Sequence, residues 1–170
     1  MEAVFLAAGR GSRMGANGDD HKALRELMGV PIIERGIRAF RAAGIQRFTI
    51  VVGHAAELIE SAIGDGSRLG VEVRYAYNDD WQLGNGTSLY AVREMVNGER
   101  FVLAMADHWF EPAMAQLLID RAAVDERSLL CVDTDGSRVW DLDDATKVRI
   151  GPDGAVTAAA KDLAQFDAID

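Results

Sequence analysis

The residues best suited to chemistry in this chain are cations and glycines near its start and carboxylates further on. The stretch Leu6-Ala7-Ala8-Gly9-Arg10-Gly11-Ser12-Arg13-Met14-Gly15 follows an apolar run, and Lys22 comes shortly after it. Glycines let backbone N–H groups approach an anion closely, and Arg10, Arg13 and Lys22 supply positive charge, so the stretch reads as a triphosphate-binding loop. A dinucleotide fingerprint would need glycines at relative positions one, three and six, but Gly9 and Gly11 are followed by Met14. A P-loop sets glycine directly before its lysine, and here His21 precedes Lys22.

Asp107 stands immediately beyond the apolar run Phe101–Met105 and the small Ala106. A carboxylate there is costly to bury unless a cation pairs with it, and magnesium beside nucleotide phosphates uses one or two such groups. A helix-capping role fits less well, because helix signals resume only at about Pro112. Gly84-Asn85-Gly86-Thr87-Ser88 opens a helix, where free N–H groups favour polar or anionic ligands. Thr87 or Ser88 equally suits the capping position, and the two roles are compatible. His108 reads as a structural histidine. Lys147, Lys161 and Asp170, taken singly, read as solvated charges.

The elements that must position these residues follow from the hydrophobic pattern. Ala3–Ala8, Phe48–Val52, Val71–Tyr77, Phe101–Met105 and Ser128–Val132 read as strands. Helices are expected after Pro31, ending at Gly44, and from about Ala55 to Ile63. Further ones follow Gly84, with Leu89, Val92 and Val96 inward, and run around Met114, Leu117 and Leu118. Such alternation predicts a mostly parallel sheet with crossover helices, an α/β fold of three-layer, Rossmann-like type. Beyond Asp133, Lys147–Ile150, a Gly151-Pro152-Asp153-Gly154 turn and Ala155–Ala160 predict a hairpin within a late β-rich insertion.

The length, 170 residues, is that of one domain with a real core, and the net charge of −9 argues against a nucleic-acid or anionic-membrane surface. No apolar segment has membrane-spanning length, and the N-terminal run is too short for a signal peptide. The one cysteine, Cys131, sits in an apolar run, reads as a small core residue and leaves no internal disulfide, in keeping with the cytoplasm.

Together these motifs resemble the sugar-phosphate nucleotidylyltransferase superfamily, whose L-x-A-G-x-G-x-R loop and following lysine are matched by Leu6, Ala8, Gly9, Gly11, Arg13 and Lys22. Gly84–Leu89, Met105–His108, Asp144–Val148, Lys161–Leu163 and Phe166–Asp170 resemble the CTP:inositol-1-phosphate cytidylyltransferases, which make CDP-inositol and are sometimes fused to a membrane-bound alcohol phosphotransferase. The resemblance implies that Leu6, Ala8, Gly9, Gly11 and Ser12 hold the nucleotide, with Arg13 and Lys22 acting on its phosphates. It assigns the base edge to Asn78, further nucleotide contacts to Gly86, Thr87 and Ser88, the acceptor phosphate to Lys147 and Lys161, and Mg²⁺ to Asp107 and Asp170. The implied partners are CTP and a phosphorylated cyclitol or sugar. Two departures stand out: His21 replaces the usual proline before the lysine, and the family pattern continues past the position of Asp170. The expectation is therefore one nucleotidyltransferase domain over 1–170, truncated at its C-terminus. A same-fold transferase for a hexose 1-phosphate or phosphocholine, and a non-catalytic triphosphate-sensing module, remain alternatives.

Overall fold

The computed structural model describes residues 1–10 and 21–170, with only the backbone of Arg138. In chain order the elements are β1 Glu2–Leu6, β2 Glu26–Leu27, β3 Val30–Pro31, α1 Ile32–Ala42, β4 Arg47–Val52, α2 Ala56–Ile63 and β5 Glu72–Tyr77. There follow α3 Asn85–Ala91, α4 Arg93–Val96, β6 Phe101–Met105, α5 Pro112–Ala122, β7 Lys147–Ile150, β8 Val156–Ala160 and β9 Ala168–Ile169. They fall into two compact units, Met1–Ile119 and Asp120–Asp170.

The first unit is built on a parallel sheet of order β5-β4-β1-β6. Its strands read as near-continuous apolar runs because helices cover both faces. Ala3 and Phe5 point to one side, into a core shared with Ile33, Ile37 and Phe40 of α1, Ile59 and Ile63 of α2, and Ala115 of α5. Val4 and Leu6 point to the other, against Val92 and Val96. Residues alternating across a strand thus supply two separate cores, which is the three-layer arrangement the pattern predicts. The order puts β1 beside both β4 and β6. Between β1 and β6 the direction of winding reverses, and open α/β sheets bind ligands beyond their carboxyl ends at that point.

The second unit carries an antiparallel sheet of order β8-β7-β9. The β7–β8 hairpin closes through Gly151 N–H donating to the Ala155 carbonyl (2.8 Å) and Gly154 N–H to the Gly151 carbonyl (2.9 Å). This is the expected late β-rich segment, but the strand expected at Ser128–Val132 does not form. Only Asp133 pairs, with Ile169, through N–H···O bonds of 2.8 and 2.9 Å. β9 is two residues long and β7 already occupies its other side, so it leaves the preceding apolar run no ladder to join.

Candidate active site

The exit of β1 is held from three directions. The Leu6 carbonyl accepts from Ala106 N–H (3.1 Å), the Ala8 carbonyl from His54 N–H (3.0 Å), and Ala7 N–H donates to the Val51 carbonyl (2.8 Å). Gly53 is required here. A Cβ on it would lie 2.8 Å from Trp81 Cβ and 3.1 Å from both Cβ and the carbonyl oxygen of Ala8. At Gly9, by contrast, a Cβ would meet nothing within 4 Å among the described residues. Leu6 and Ala8 are buried among the core residues. Gly11, Ser12 and Arg13 lie outside the described residues.

Lys22 and Asp107, 85 positions apart, meet at this edge: Nζ donates to Oδ2 at 2.7 Å. This is the cation that a carboxylate after β6 requires. Burial alone would raise the Asp107 carboxyl, but the hydrogen bond and charge of Lys22, helped by His108, hold it below the ordinary value. His108 Nε2 lies 3.9 Å from Asp107 Oδ1 with its side chain 63% exposed, so it is a surface neighbour of the pair, not the satisfied structural histidine expected from sequence.

That structural role belongs to His21, whose importance the sequence does not signal. It is buried, with Nε2 2.9 Å from the Ala7 carbonyl oxygen and Nδ1 accepting from Ala23 N–H at 3.3 Å. A carbonyl can only accept and an amide N–H can only donate, so these two bonds put a proton on Nε2 and use Nδ1 as the acceptor. It caps the one-turn 3₁₀ helix Lys22–Leu24.

Asn78, just past β5, is buried and its amide is committed. Nδ2 donates to Thr87 Oγ1 (3.1 Å) and Ser88 Oγ (2.9 Å), while Oδ1 accepts from Asp80 N–H (3.0 Å). The helix that follows starts at Asn85, so neither Thr87 nor Ser88 caps it. Its N-cap is Gly84 at φ +107° and ψ −179°, a conformation open essentially to glycine alone. Asn78, Gly86 and Thr87 line a cleft of about 350 Å³ with Tyr77, Asp79, Asp80, Tyr90 and Ala91.

In the second unit Lys147 is buried and donates to the Lys161 carbonyl, while the exposed Lys161 ammonium pairs with Asp144. Asp170 is exposed, and its backbone exchanges hydrogen bonds with Thr146 (2.9 and 3.3 Å). Cys131 is half-buried, and burial with the nearby Asp170 charge pushes its thiol up, leaving it an inert thiol. Among the described residues no three His, Cys, Asp or Glu side chains gather into a metal-holding group.

Lys22, its acidic partner Asp107 and the committed amide of Asn78 stand beyond the ends of parallel strands in an α/β unit. The chain belongs to the MobA-like NTP transferase domain family, whose pattern matches residues 3–166. It is 34% identical, over 99% of its length, to the bifunctional IPC transferase and DIPP synthase of Rubrobacter xylanophilus, and spans 36% of that protein. It is 33% identical over its whole length to the CMP-5'-(3-aminopropyl)phosphonate synthase of Streptomyces rubellomurinus, spanning 26% of it. The fold superposes on the inositol-1-phosphate CTP transferase from T. maritima with a TM-score of 0.82 and 26% identity, covering 99% of this chain and 67% of that one.

Proposed function

We propose that this domain transfers a cytidylyl group from CTP to the phosphate of a cyclitol or sugar 1-phosphate, inositol 1-phosphate first, with release of pyrophosphate. The observation that carries the reading is the Lys22–Asp107 pair at the carboxyl ends of β1 and β6. The names of the Rubrobacter and T. maritima proteins support the choice of base and acceptor. Leu6, Ala8, Gly9, Gly11 and Ser12 receive the triphosphate. Asn78 acts by fixing Thr87 and Ser88 in the wall beside Gly86, where the base lodges. Lys147 and Lys161 serve the acceptor side.

Mg²⁺ fits the donors available. The ion asks for one or two carboxylates beside phosphate oxygens and water, and Asp107 offers a partly exposed hard carboxylate. When bound, the ion neutralises charge on the triphosphate. Lys22 turns from Asp107 to the α-phosphate, and the carboxylate it leaves would be the group that holds the ion. An oxygen of the acceptor's phosphate attacks the α-phosphorus in line, that P–O bond forms, and the bond to the departing pyrophosphate breaks. The nucleophile is already anionic near neutrality, so no general base is required, and positioning with charge stabilisation by Arg13 and Lys22 does the rest. We assign the reaction to the cytoplasm, where a nucleoside triphosphate substrate is at hand. Pairing with an alcohol phosphotransferase, in the same polypeptide or another, is the partner we assign, in keeping with the bifunctional relative.

Pyrophosphate release with Mg²⁺, each of the four triphosphates and a panel of acceptors tests this. Release with CTP and inositol 1-phosphate is expected. The Streptomyces relative makes (3-aminopropyl)phosphonate the second acceptor to include, and release with it instead would keep the mechanism and change the acceptor. Triphosphate binding without release from any pair would overturn the enzymatic reading in favour of a sensing module.

A further inference from the structure

The chain neighbours of Lys22 and Asp107 are held by two consecutive carbonyls where β1 ends, those of Leu6 and Ala7. The Leu6 carbonyl holds Ala106, the neighbour of Asp107, through a backbone bond of 3.1 Å. The next carbonyl, that of Ala7, holds His21, the neighbour of Lys22, through the imidazole at 2.9 Å. Ala106, next to Asp107, is thus held by a backbone bond that continues the sheet's ladder, whereas the turn of Lys22 lies off the ladder and is anchored by a side chain. The same ring orders the turn that Lys22 begins, accepting from Ala23 N–H at 3.3 Å, while Leu24 N–H donates to the His21 carbonyl at 2.8 Å.

We infer that His21 is a positioning residue for Lys22: its imidazole suspends the turn bearing the lysine from the end of β1 and so sets where the ammonium stands. This inference rests on the catalytic reading of Lys22 given above. The ring does two jobs of opposite polarity 2.9 and 3.3 Å away, donating to a carbonyl and accepting from an amide. Only a neutral side chain with a donor and an acceptor at a fixed separation does both, and a smaller one does at most one. Holding Lys22 about 1 Å out of place is enough to cost ~10²-fold in rate.

Three replacements separate the two jobs. His21→Gln retains a donor able to reach the Ala7 carbonyl, His21→Asn retains an acceptor for Ala23 N–H, and His21→Leu retains neither. His21→Leu is expected to lower kcat by ~10²-fold with KM for CTP changed by no more than about twofold, and His21→Gln to recover most of the loss. In a Lys22→Ala background His21→Leu should then cost less than about twofold, because the group it positions is gone. An equal cost with and without Lys22, or a loss of rate that only tracks the folded fraction, would overturn the inference. A second measurement needs no substrate: the coupling between Lys22 and Asp107, obtained by thermal unfolding of single and double variants, should disappear when His21 is replaced by Leu. If the parent protein released no pyrophosphate yet this coupling depended on His21, the catalytic reading would fail and the positioning role would stand. Turnover with a coupling indifferent to His21 would do the reverse, sparing the catalytic reading and removing the positioning role.

Discussion

At the scale of single residues, the Lys22–Asp107 pair makes opposite demands of its members. Lys22→Ala is expected to lower kcat by ~10²–10³-fold, as removal of a group at developing charge does, with a far smaller change in melting temperature. Turnover retained in a folded Lys22→Ala protein would refute its role. Asp107→Asn should also abolish turnover, yet bind metal-free CTP more tightly than the parent, because the lysine no longer has a competing partner. Calorimetry in a chelator checks this. Glu34 offers a contrast away from the reacting phosphates. Its buried carboxylate lies between Arg68 (2.6 Å) and Arg38, and the Arg68 hydrogen bond leads in holding its pKa below the ordinary 4.5. A depressed carboxyl pKa gives stability that is fully present above the unfolded value and lost as pH falls through the folded one. Glu34→Gln should therefore destabilise by about 1–3 kcal/mol at neutral pH, and the difference from the parent should shrink as pH falls below 4.5 in denaturant titrations.

At the scale of elements, the strands were legible where an apolar run found neighbours. β1, β4, β5 and β6 lie where the pattern put them, as does the β7–β8 hairpin. Leu129-Leu130-Cys131-Val132 is just as apolar and makes no strand, because pairing belongs to two segments and its partner stretch is two residues long. The helix after Gly84 was expected as one and breaks at Val92, between α3 and α4, though Val92 and Val96 face the core as their spacing predicts. The loop, Lys22 and Asp107 could be singled out by residue type. Their meeting, and the two-sided role of His21, could not, since contacts 85 and 14 residues apart leave no local signature. Gly53 belongs with these hidden requirements. Gly53→Ala should push the end of β4 off Ala8 and Trp81, costing about 1–3 kcal/mol and weakening nucleotide binding with it. Unchanged stability by urea titration would show that the joint can yield.

At the scale of the molecule, position in the sheet should decide how fast each strand opens. β1 lies between two strands and under both cores, while β5 and β6 have one neighbouring strand each among the described residues. Amide exchange should find β1 and β4 the most protected, with Leu103, 45% exposed on β6, among the faster strand amides. Equal protection of β6 and β1 would contradict this. The chain neighbours of both members of the charged pair, Ala106 and His21, are tied to Leu6 and Ala7, at and just past the end of β1, the strand at the middle of the unit's sheet. The site is therefore as cooperative as the fold. Denaturant should remove Lys22–Asp107 coupling and sheet structure in one transition with one midpoint, so that in the parent protein the pair reports how much of this unit is folded.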